Sequence, residues 1–163
     1  MELNLFSEGN LRKIFCLFHI NLSGDTLNVM SQFIKFTIVG ASSSIVAYLI
    51  NILTLLILKP YNLSWDYFAG NISSFLLSVL WSFFWNSKYA FRLEDGETRN
   101  PWNALLKTYA TYAFTGLVLN NVLSYIWIDM MGISKIIAPL INMVIGLPIN
   151  YVLNKIWAFK TVK

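Results

Sequence analysis

Four stretches without a charged residue dominate the chain. They lie at residues 36–58, 67–87, 108–128 and 136–154 and contain 23, 21, 21 and 19 residues. At about 1.5 Å of rise per residue, helices of these lengths span roughly 28 to 35 Å, close to the roughly 30 Å of a bilayer core. Buried helices of soluble proteins are shorter and keep charges on one face, and the runs lack the alternation of strands. The pattern predicts an all-α membrane protein with four transmembrane helices.

The residues that flank these runs predict where the helices begin and end. We expect helices at about 32–58, 65–88, 101–128 and 135–157. Asn100-Pro101 is a typical helix start, and Gly132 a typical helix end.

The chain before the first predicted helix has a different character. Residues 1–31 form a predicted interfacial segment, and residues 32–163 form the membrane domain. The segment contains a short amphipathic helix that lies on the membrane surface, with docking to a partner protein as the weaker alternative, and ends in the turn cluster Ser23–Thr26. The apolar face of that helix consists of Leu11, Phe15, Phe18 and Leu22.

A short motif occurs twice, at Asn86–Phe91 and Asn154–Phe159. Each copy starts with Asn, has an aromatic residue three places later, and then Ala and Phe. Each copy also closes an apolar run, so the chain is predicted to consist of two tandem two-helix repeats. The motif residues given a structural role are Asn86, Phe91, Asn154, Trp157 and Phe159.

Pro148 lies inside the fourth run and predicts a kink, because proline cannot donate to the carbonyl four residues earlier. A helix broken by Gly or Pro is a feature of substrate sites in transporters. A kink that serves only packing is an equally good interpretation.

Composition and charge agree with a membrane protein and predict its orientation. Hydrophobic residues make up 56% of the chain and charged residues 12%, about half the usual charged share. If four helices are threaded, Lys59 and Lys135 face one side and the other ten Lys and Arg residues face the opposite side. The positive-inside rule therefore predicts a multi-pass protein of the cytoplasmic membrane with both termini in the cytoplasm.

The same composition argues against other functional classes. Basic residues lie at helix ends and not on one groove-fitting face, so no nucleic-acid partner is expected. The four charge-free stretches contain no Asp, Glu, His or Cys, so catalytic residues, a metal site and a cofactor are not expected. The protein is therefore not expected to be an enzyme.

Phe33–Gly40, which opens the first run, and the two motif copies together resemble the GtrA-like family of small four-helix membrane proteins. The resemblance covers about residues 32–160. It implies that the chain flips polyprenyl-phosphate-linked sugars, such as undecaprenyl-phosphate sugars, outward for cell-envelope polysaccharides. It also implies a partner, a membrane glycosyltransferase that makes the lipid-linked sugar inside. A non-transporting anchor or regulatory subunit of that enzyme is the alternative.

Two sets of residues are candidates for binding such a substrate. Basic residues at the cytoplasmic rim would collect the lipid phosphate, or would only set the topology: Lys35, Lys88, Arg92, Lys107 and Lys155. Amides inside the spans would line a polar path for the sugar, or would only join helices at about 0.5–2 kcal/mol each: Asn51, Asn71, Asn120, Asn121, Asn142 and Asn150. Four helices are few for an enclosed path among membrane lipids, so a homo-oligomer, most simply a dimer, is expected.

Overall fold

The structure is a computed structural model that describes residues 9–10, 13, 23–61, 66–134 and 137–162. From Gly24 onward, the described residues are mainly helical and form four helices, as predicted. The α-helical segments are α1, Gly24–Leu58; α2, Asp66–Trp85; α3, Pro101–Ala113; α4, Asn120–Tyr125; and α5, Ala138–Leu153. Segments α3 and α4 belong to one continuous third helix, residues 101–130. Most of the predicted amphipathic helix lies outside the described residues.

The first helix begins earlier than the sequence suggested, at Gly24 and not near residue 32. Ser23 is its N-cap, because the Ser23 Oγ accepts a hydrogen bond from the Thr26 N–H at 3.3 Å. Asp25 in the first turn complements the helix dipole. The predicted turn cluster is therefore the cap and first turn of α1, and Leu27 and Ser31 are buried beyond it.

Both copies of the repeated motif form the same irregular turn. Asn86–Ala90 and Asn154–Ala158 are π-helical, and in each copy the N–H of the following Phe donates to the Asn carbonyl at 2.8 Å. Two more π segments, Phe114–Leu119 and Ile126–Met130, interrupt the third helix. The sequence predicted regular α-helices, and this prediction is wrong at these four segments. There the hydrogen bonds join residues five apart instead of four, so each turn contains about one residue more.

The chain divides into two compact units, residues 1–92 and 93–163. The first unit pairs α1 with α2, and the second pairs the third helix with α5. Among the described residues from Gly24 onward, each unit contains two helices and one copy of the motif.

Other predicted boundaries are confirmed. The Asn100 side chain accepts hydrogen bonds from the Trp102 and Asn103 N–H groups at 3.0 and 3.1 Å, and Pro101 is the first helical residue. Gly132 follows the third helix with φ +70°, a conformation that favours glycine. In the second unit, the loop before α3 and the carboxyl end meet in an isolated antiparallel bridge between Thr98 and Val162.

Within the described residues, the helix Gly24–Tyr61 is the one that is long and apolar enough to cross a membrane by length and composition. The α-helical segments α2 and α5 have 20 and 16 residues, and two π segments divide the third helix. Pro148 lies inside α5, as expected, and the kink remains a prediction.

Candidate functional site

A cavity of about 330 Å³ lies between the third helix and α5 of the second unit. Its size falls in the range of about 300–1,000 Å³ that is usual for small-molecule sites. Apolar residues form much of its wall, together with the polar side chains of Tyr112, Thr115, Asn120, Asn142 and Asn150. Three of the six amides proposed for a polar path are therefore at one cavity, which is called the polar cavity below.

Asn142 joins the two helices at one end of the polar cavity. Its side chain is buried, with 6% exposure. The Nδ2 group donates to the Asn120 Oδ1 at 2.6 Å and to the Ser124 Oγ at 2.8 Å, while the Oδ1 accepts from the Trp127 Nε1 at 3.0 Å. The amide thus uses both its donor and its acceptor capacity to hold the wall of the cavity.

At the other end of the polar cavity, the Thr115 hydroxyl donates to the Asn150 Oδ1 at 2.8 Å. Asn142 and Asn150 are eight residues apart, about 12 Å along a helix. Gly116 and Gly146 lie between these ends, and no atom approaches within 4 Å of a Cβ added at either glycine. The two glycines therefore keep the cavity open, and its polar groups are neutral donors and acceptors.

The other three amides have local partners. In the first unit, the Asn51 Nδ2 donates to the Asn71 Oδ1 at 3.1 Å, beside Gly70, where an added Cβ would lie 3.0 Å from that nitrogen. Asn121 donates to the Leu117 carbonyl at 2.5 Å in its own helix. Asn51 and Asn71 therefore act as a link between α1 and α2, which favours the structural interpretation for this pair.

Further polar contacts strengthen the pairing of α1 with α2. The hydroxyls of Thr54 and Ser73 lie 2.9 Å apart, and the Trp81 Nε1 donates to the Ser42 Oγ at 3.2 Å. Ser73 on α2 and Ser42 on α1 thus face the partner helix, as small polar residues do in membrane helix pairs.

The motif asparagines are completely buried in both units. The Asn86 Nδ2 donates to the Ser82 Oγ at 3.0 Å, and the Asn154 Nδ2 donates to the Asn150 carbonyl at 2.8 Å. Within the described residues, neither Oδ1 atom accepts a hydrogen bond. Each amide therefore stabilises the end of its own helix, through a bond to a residue four positions earlier.

The phenylalanines that end the motif are also buried. The Phe91 ring lies 5.9 Å from the Phe36 ring of α1, and the Phe159 ring lies under the Arg99 guanidinium at 4.8 Å. Trp157, in contrast, is 44% exposed. The motif therefore ties helix ends to their surroundings through Phe in both units.

Three of the five basic residues proposed for phosphate binding contact aromatic rings. The Lys88 Nζ lies 5.4 Å from the Trp85 ring centre, and the Lys107 Nζ lies 5.8 Å from that of Trp157. The Lys155 Nζ donates to the Tyr151 hydroxyl at 3.3 Å. Of the other two, both in the first unit, Lys35 is half-buried and Arg92 is exposed. The five residues are thus divided between the units.

A second cavity, of about 520 Å³, also lies in the second unit and is called the basic cavity below. Lys107 lines it together with two cations that the sequence analysis did not select, Arg99 and Lys160. Burial lowers the pKa of Arg99, and the nearby Glu97 carboxylate opposes that effect. The amides of Asn100 and Asn103 lie on the same wall.

A model of the GtrA/DPMS transmembrane domain matches residues 35–159. The chain belongs to this family. The match includes both copies of the motif and the whole polar cavity, and it shows that the helical chain is a membrane protein. No solved structure matches this GtrA-family chain.

The chain is also similar to curated proteins from Listeria. It is 31% identical over 119 residues to a cell wall teichoic acid glycosylation protein GtcA of Listeria monocytogenes serovar 1/2a, a match that covers 71% of the chain and 78% of the relative. A GtcA of Listeria innocua serovar 6a is 30% identical with the same coverage. Family membership predicted from the sequence is therefore confirmed.

Sequence reasoning missed Arg99 and Lys160 in this GtrA-family chain for a structural reason. Arg99 lies in the loop before α3, and Lys160 follows the second motif copy. The bridge between Thr98 and Val162 places them on one cavity although they are far apart in the sequence. Their position beside a helix start and a helix end was the one available signal.

Proposed function

We propose that this protein moves a polyprenyl-phosphate-linked monosaccharide across the cytoplasmic membrane for glycosylation of a cell-envelope polysaccharide. The polar cavity of the second unit is the observation that supports this function most directly, because it provides hydrogen-bonding groups inside a membrane domain. The Listeria relatives are named for cell wall teichoic acid glycosylation, which favours an envelope polymer as the destination.

The chemistry of the polar cavity suits a sugar. A charged group inside a bilayer is costly, whereas amides and hydroxyls stay neutral when the site is empty. Asn120, Asn150 and Thr115 present such groups, and the Asn142 network holds the helices on either side. The hydroxyls of a monosaccharide exchange hydrogen bonds with these groups while the polyprenyl tail remains in lipid.

The lipid phosphate is proposed to meet the protein at the cytoplasmic rim. Aromatic rings hold Lys88, Lys107 and Lys155 there, in the kind of contact that an ammonium makes with the face of a ring. Lys35 and Arg92 add positive charge in the first unit. A membrane glycosyltransferase supplies the lipid-linked sugar, and this chain performs no covalent chemistry. A homodimer of this chain encloses the path of the sugar across the membrane.

The orientation in this proposal has its own test. Asp95 is exposed in the loop between the second and third helices, and a Cys there, in a Cys16→Ser background, should react with an impermeant maleimide only from the cytoplasmic side. Reaction from the outer side alone would reverse the proposed topology.

Transport itself is tested with the purified full-length chain in proteoliposomes. A radiolabelled polyprenyl-phosphate hexose is placed in the inner leaflet, and an impermeant oxidant of sugar diols reports its arrival outside. We expect faster arrival than in protein-free vesicles. If arrival is not accelerated but the chain raises the activity of a co-reconstituted polyprenyl-phosphate glycosyltransferase, the protein is an anchor or regulatory subunit instead.

A further inference from the structure

We propose that the basic cavity is a binding site for the phosphodiester of a lipid-linked sugar, with Arg99, Lys107 and Lys160 as its cationic ligands. The identity of this natural ligand rests on the proposed function. The assignment of an anion site does not, because it depends only on the residues that line the cavity.

The charge on the lining residues is the first argument. Three cations line the basic cavity, and its lining residues within the described part of the chain include no carboxylate. The Glu97 carboxylate, which acts electrostatically on Arg99, accepts hydrogen bonds from the Thr161 hydroxyl at 3.0 Å and from the Glu94 N–H at 3.2 Å. Cations that share one cavity repel each other, and an anion between them removes that repulsion.

The geometry of the cations is the second argument. The Arg99 guanidinium carbon lies over the Phe159 ring, 4.8 Å from its centre, and the Lys107 ammonium lies 5.8 Å from the centre of the Trp157 ring. Contact with a ring face restricts the guanidinium, and its planar set of N–H groups suits bidentate binding of two phosphate oxygens. The Arg99 guanidinium and the Lys107 ammonium therefore lose little conformational entropy when an anion binds.

The backbone that holds the basic cavity together is the third argument. Thr98 and Val162 exchange two backbone hydrogen bonds, at 2.9 and 3.0 Å, so the segments that bear Arg99 and Lys160 are tied to each other. The cavity also lies at the N-terminus of α3, whose dipole adds partial positive charge. Lys107 is six residues further along, about 9 Å deeper on the same helix.

The exposure of the lining residues indicates how a lipid head would enter. Lys160 is exposed, whereas Arg99 and Lys107 are half-buried. The volume of about 520 Å³ exceeds what a single phosphate needs and leaves space for an attached sugar. A phosphodiester between a sugar and a lipid tail therefore fits better than inorganic phosphate alone.

The test is a binding measurement with the full-length chain in detergent micelles. Three probes are compared: farnesyl-phosphate-linked glucose, phosphatidylglycerol and inorganic phosphate. We expect Arg99→Gln and Lys160→Gln each to raise the Kd for farnesyl-phosphate-linked glucose about tenfold, because each removes charge-assisted hydrogen bonds. Arg99→Lys should retain part of the affinity, because the positive charge remains while the planar, bidentate set of guanidinium N–H donors is lost.

One matched variant serves as the control. Lys59→Gln removes a cation from the end of the first helix that does not line the basic cavity. It should change the Kd less than twofold, and all variants should keep the thermal unfolding midpoint of the wild type. An effect of Lys59→Gln as large as that of Arg99→Gln would overturn the proposal.

The three probes separate the possible sources of the phosphate. Phosphatidylglycerol and inorganic phosphate should compete only at concentrations far above that of farnesyl-phosphate-linked glucose. Equal competition by either would refute a site for lipid-linked sugars. Because binding in detergent requires no transport, intact binding with no flipping in proteoliposomes refutes the proposed function alone. Normal flipping with unchanged binding in Arg99→Gln and Lys160→Gln refutes this site alone.

Discussion

The two units end their second helices in the same way but use their polar side chains differently. In each, a buried Asn begins a π turn that the following Phe closes. In the first unit, the span amides Asn51 and Asn71 bond to each other between the helices. In the second, Asn142 also bonds to Asn120 between the helices, but Asn120, Asn142 and Asn150 line a cavity as well. The two units therefore share the same π turn but differ in packing. The helices of the first unit pair closely, whereas those of the second have the polar cavity between them.

Glycine contributes to this difference in opposite ways. Gly70 allows Asn51 to approach α2 so closely that an added Cβ would lie 3.0 Å from the Asn51 Nδ2. Gly116 and Gly146 face open space instead. Because glycine has no side chain, Gly70 lets two helices approach closely in the first unit. In the second unit, Gly116 and Gly146 leave a cavity between the helices.

The largest difference between the units is expected from loss of the Asn142 amide. Asn142→Leu leaves the Trp127 Nε1 and the Asn120 and Ser124 side chains without this partner, which should lower the free energy of unfolding by roughly 1–3 kcal/mol. Flipping in proteoliposomes should fall at least about tenfold. The matched variant Asn71→Leu removes one interhelical bond, which contributes about 1 kcal/mol, and should keep most activity. Equal loss of flipping in both variants would contradict a special role for the second unit.

A variant that fills the polar cavity should separate transport from stability. In Gly146→Leu, the new side chain enters open space, and the helix gains propensity, so the unfolding midpoint should not fall. Flipping should decrease about tenfold, because the sugar and the leucine compete for the same volume. Gly40→Leu, also beside open space but in the first unit, is the control and should flip normally. Normal flipping by Gly146→Leu would exclude the polar cavity from the path.

The same substitution in the first unit should have the opposite result. Gly70→Leu should destabilise the protein by roughly 1–3 kcal/mol, since the side chain displaces Asn51 and overpacks the contact between α1 and α2. Denaturant titration in detergent measures this change. An unfolding free energy equal to that of Gly146→Leu would show that the helices of the first unit are not closely paired there.

The smallest effect is expected where the units are alike. Asn86→Leu and Asn154→Leu each remove one hydrogen bond and one buried oxygen that accepts none within the described residues. These two changes oppose each other, so each variant should differ from the wild type by less than about 1.5 kcal/mol. The same titration should give nearly equal values for the pair. A large difference between them would show that the two turns have different roles.

Much of the fold could be predicted from the sequence, because charge is excluded from long helical stretches in a membrane protein. The caps at Asn100 and Gly132 could be predicted as well, since each depends on the chemistry of a few adjacent residues. The start of α1 could not, because Ser, Gly, Asp and Thr form both turns and helix N-termini. The π turns also escaped prediction, since one extra residue in a turn leaves the composition unchanged.

The candidate sites were harder to predict for a different reason. Asn71 and Asn142 are the same residue type in similar apolar runs. Both bond to the neighbouring helix, but the packing of the helices makes Asn142 line a cavity as well. Arg99 and Lys160 meet through a backbone bridge between distant segments. Sequence patterns specify which groups are present, whereas their separation in space depends on packing.

The boundary between the compact units at residue 92 also has a consequence for biosynthesis. Chains are made from the amino terminus, and helices that pair with their neighbour in sequence assemble quickly. α1 and α2 can therefore pair and form the Asn51–Asn71 bond while the ribosome is still translating residues 93–163. The helices of the second unit are thus made after their tandem neighbour has had time to assemble.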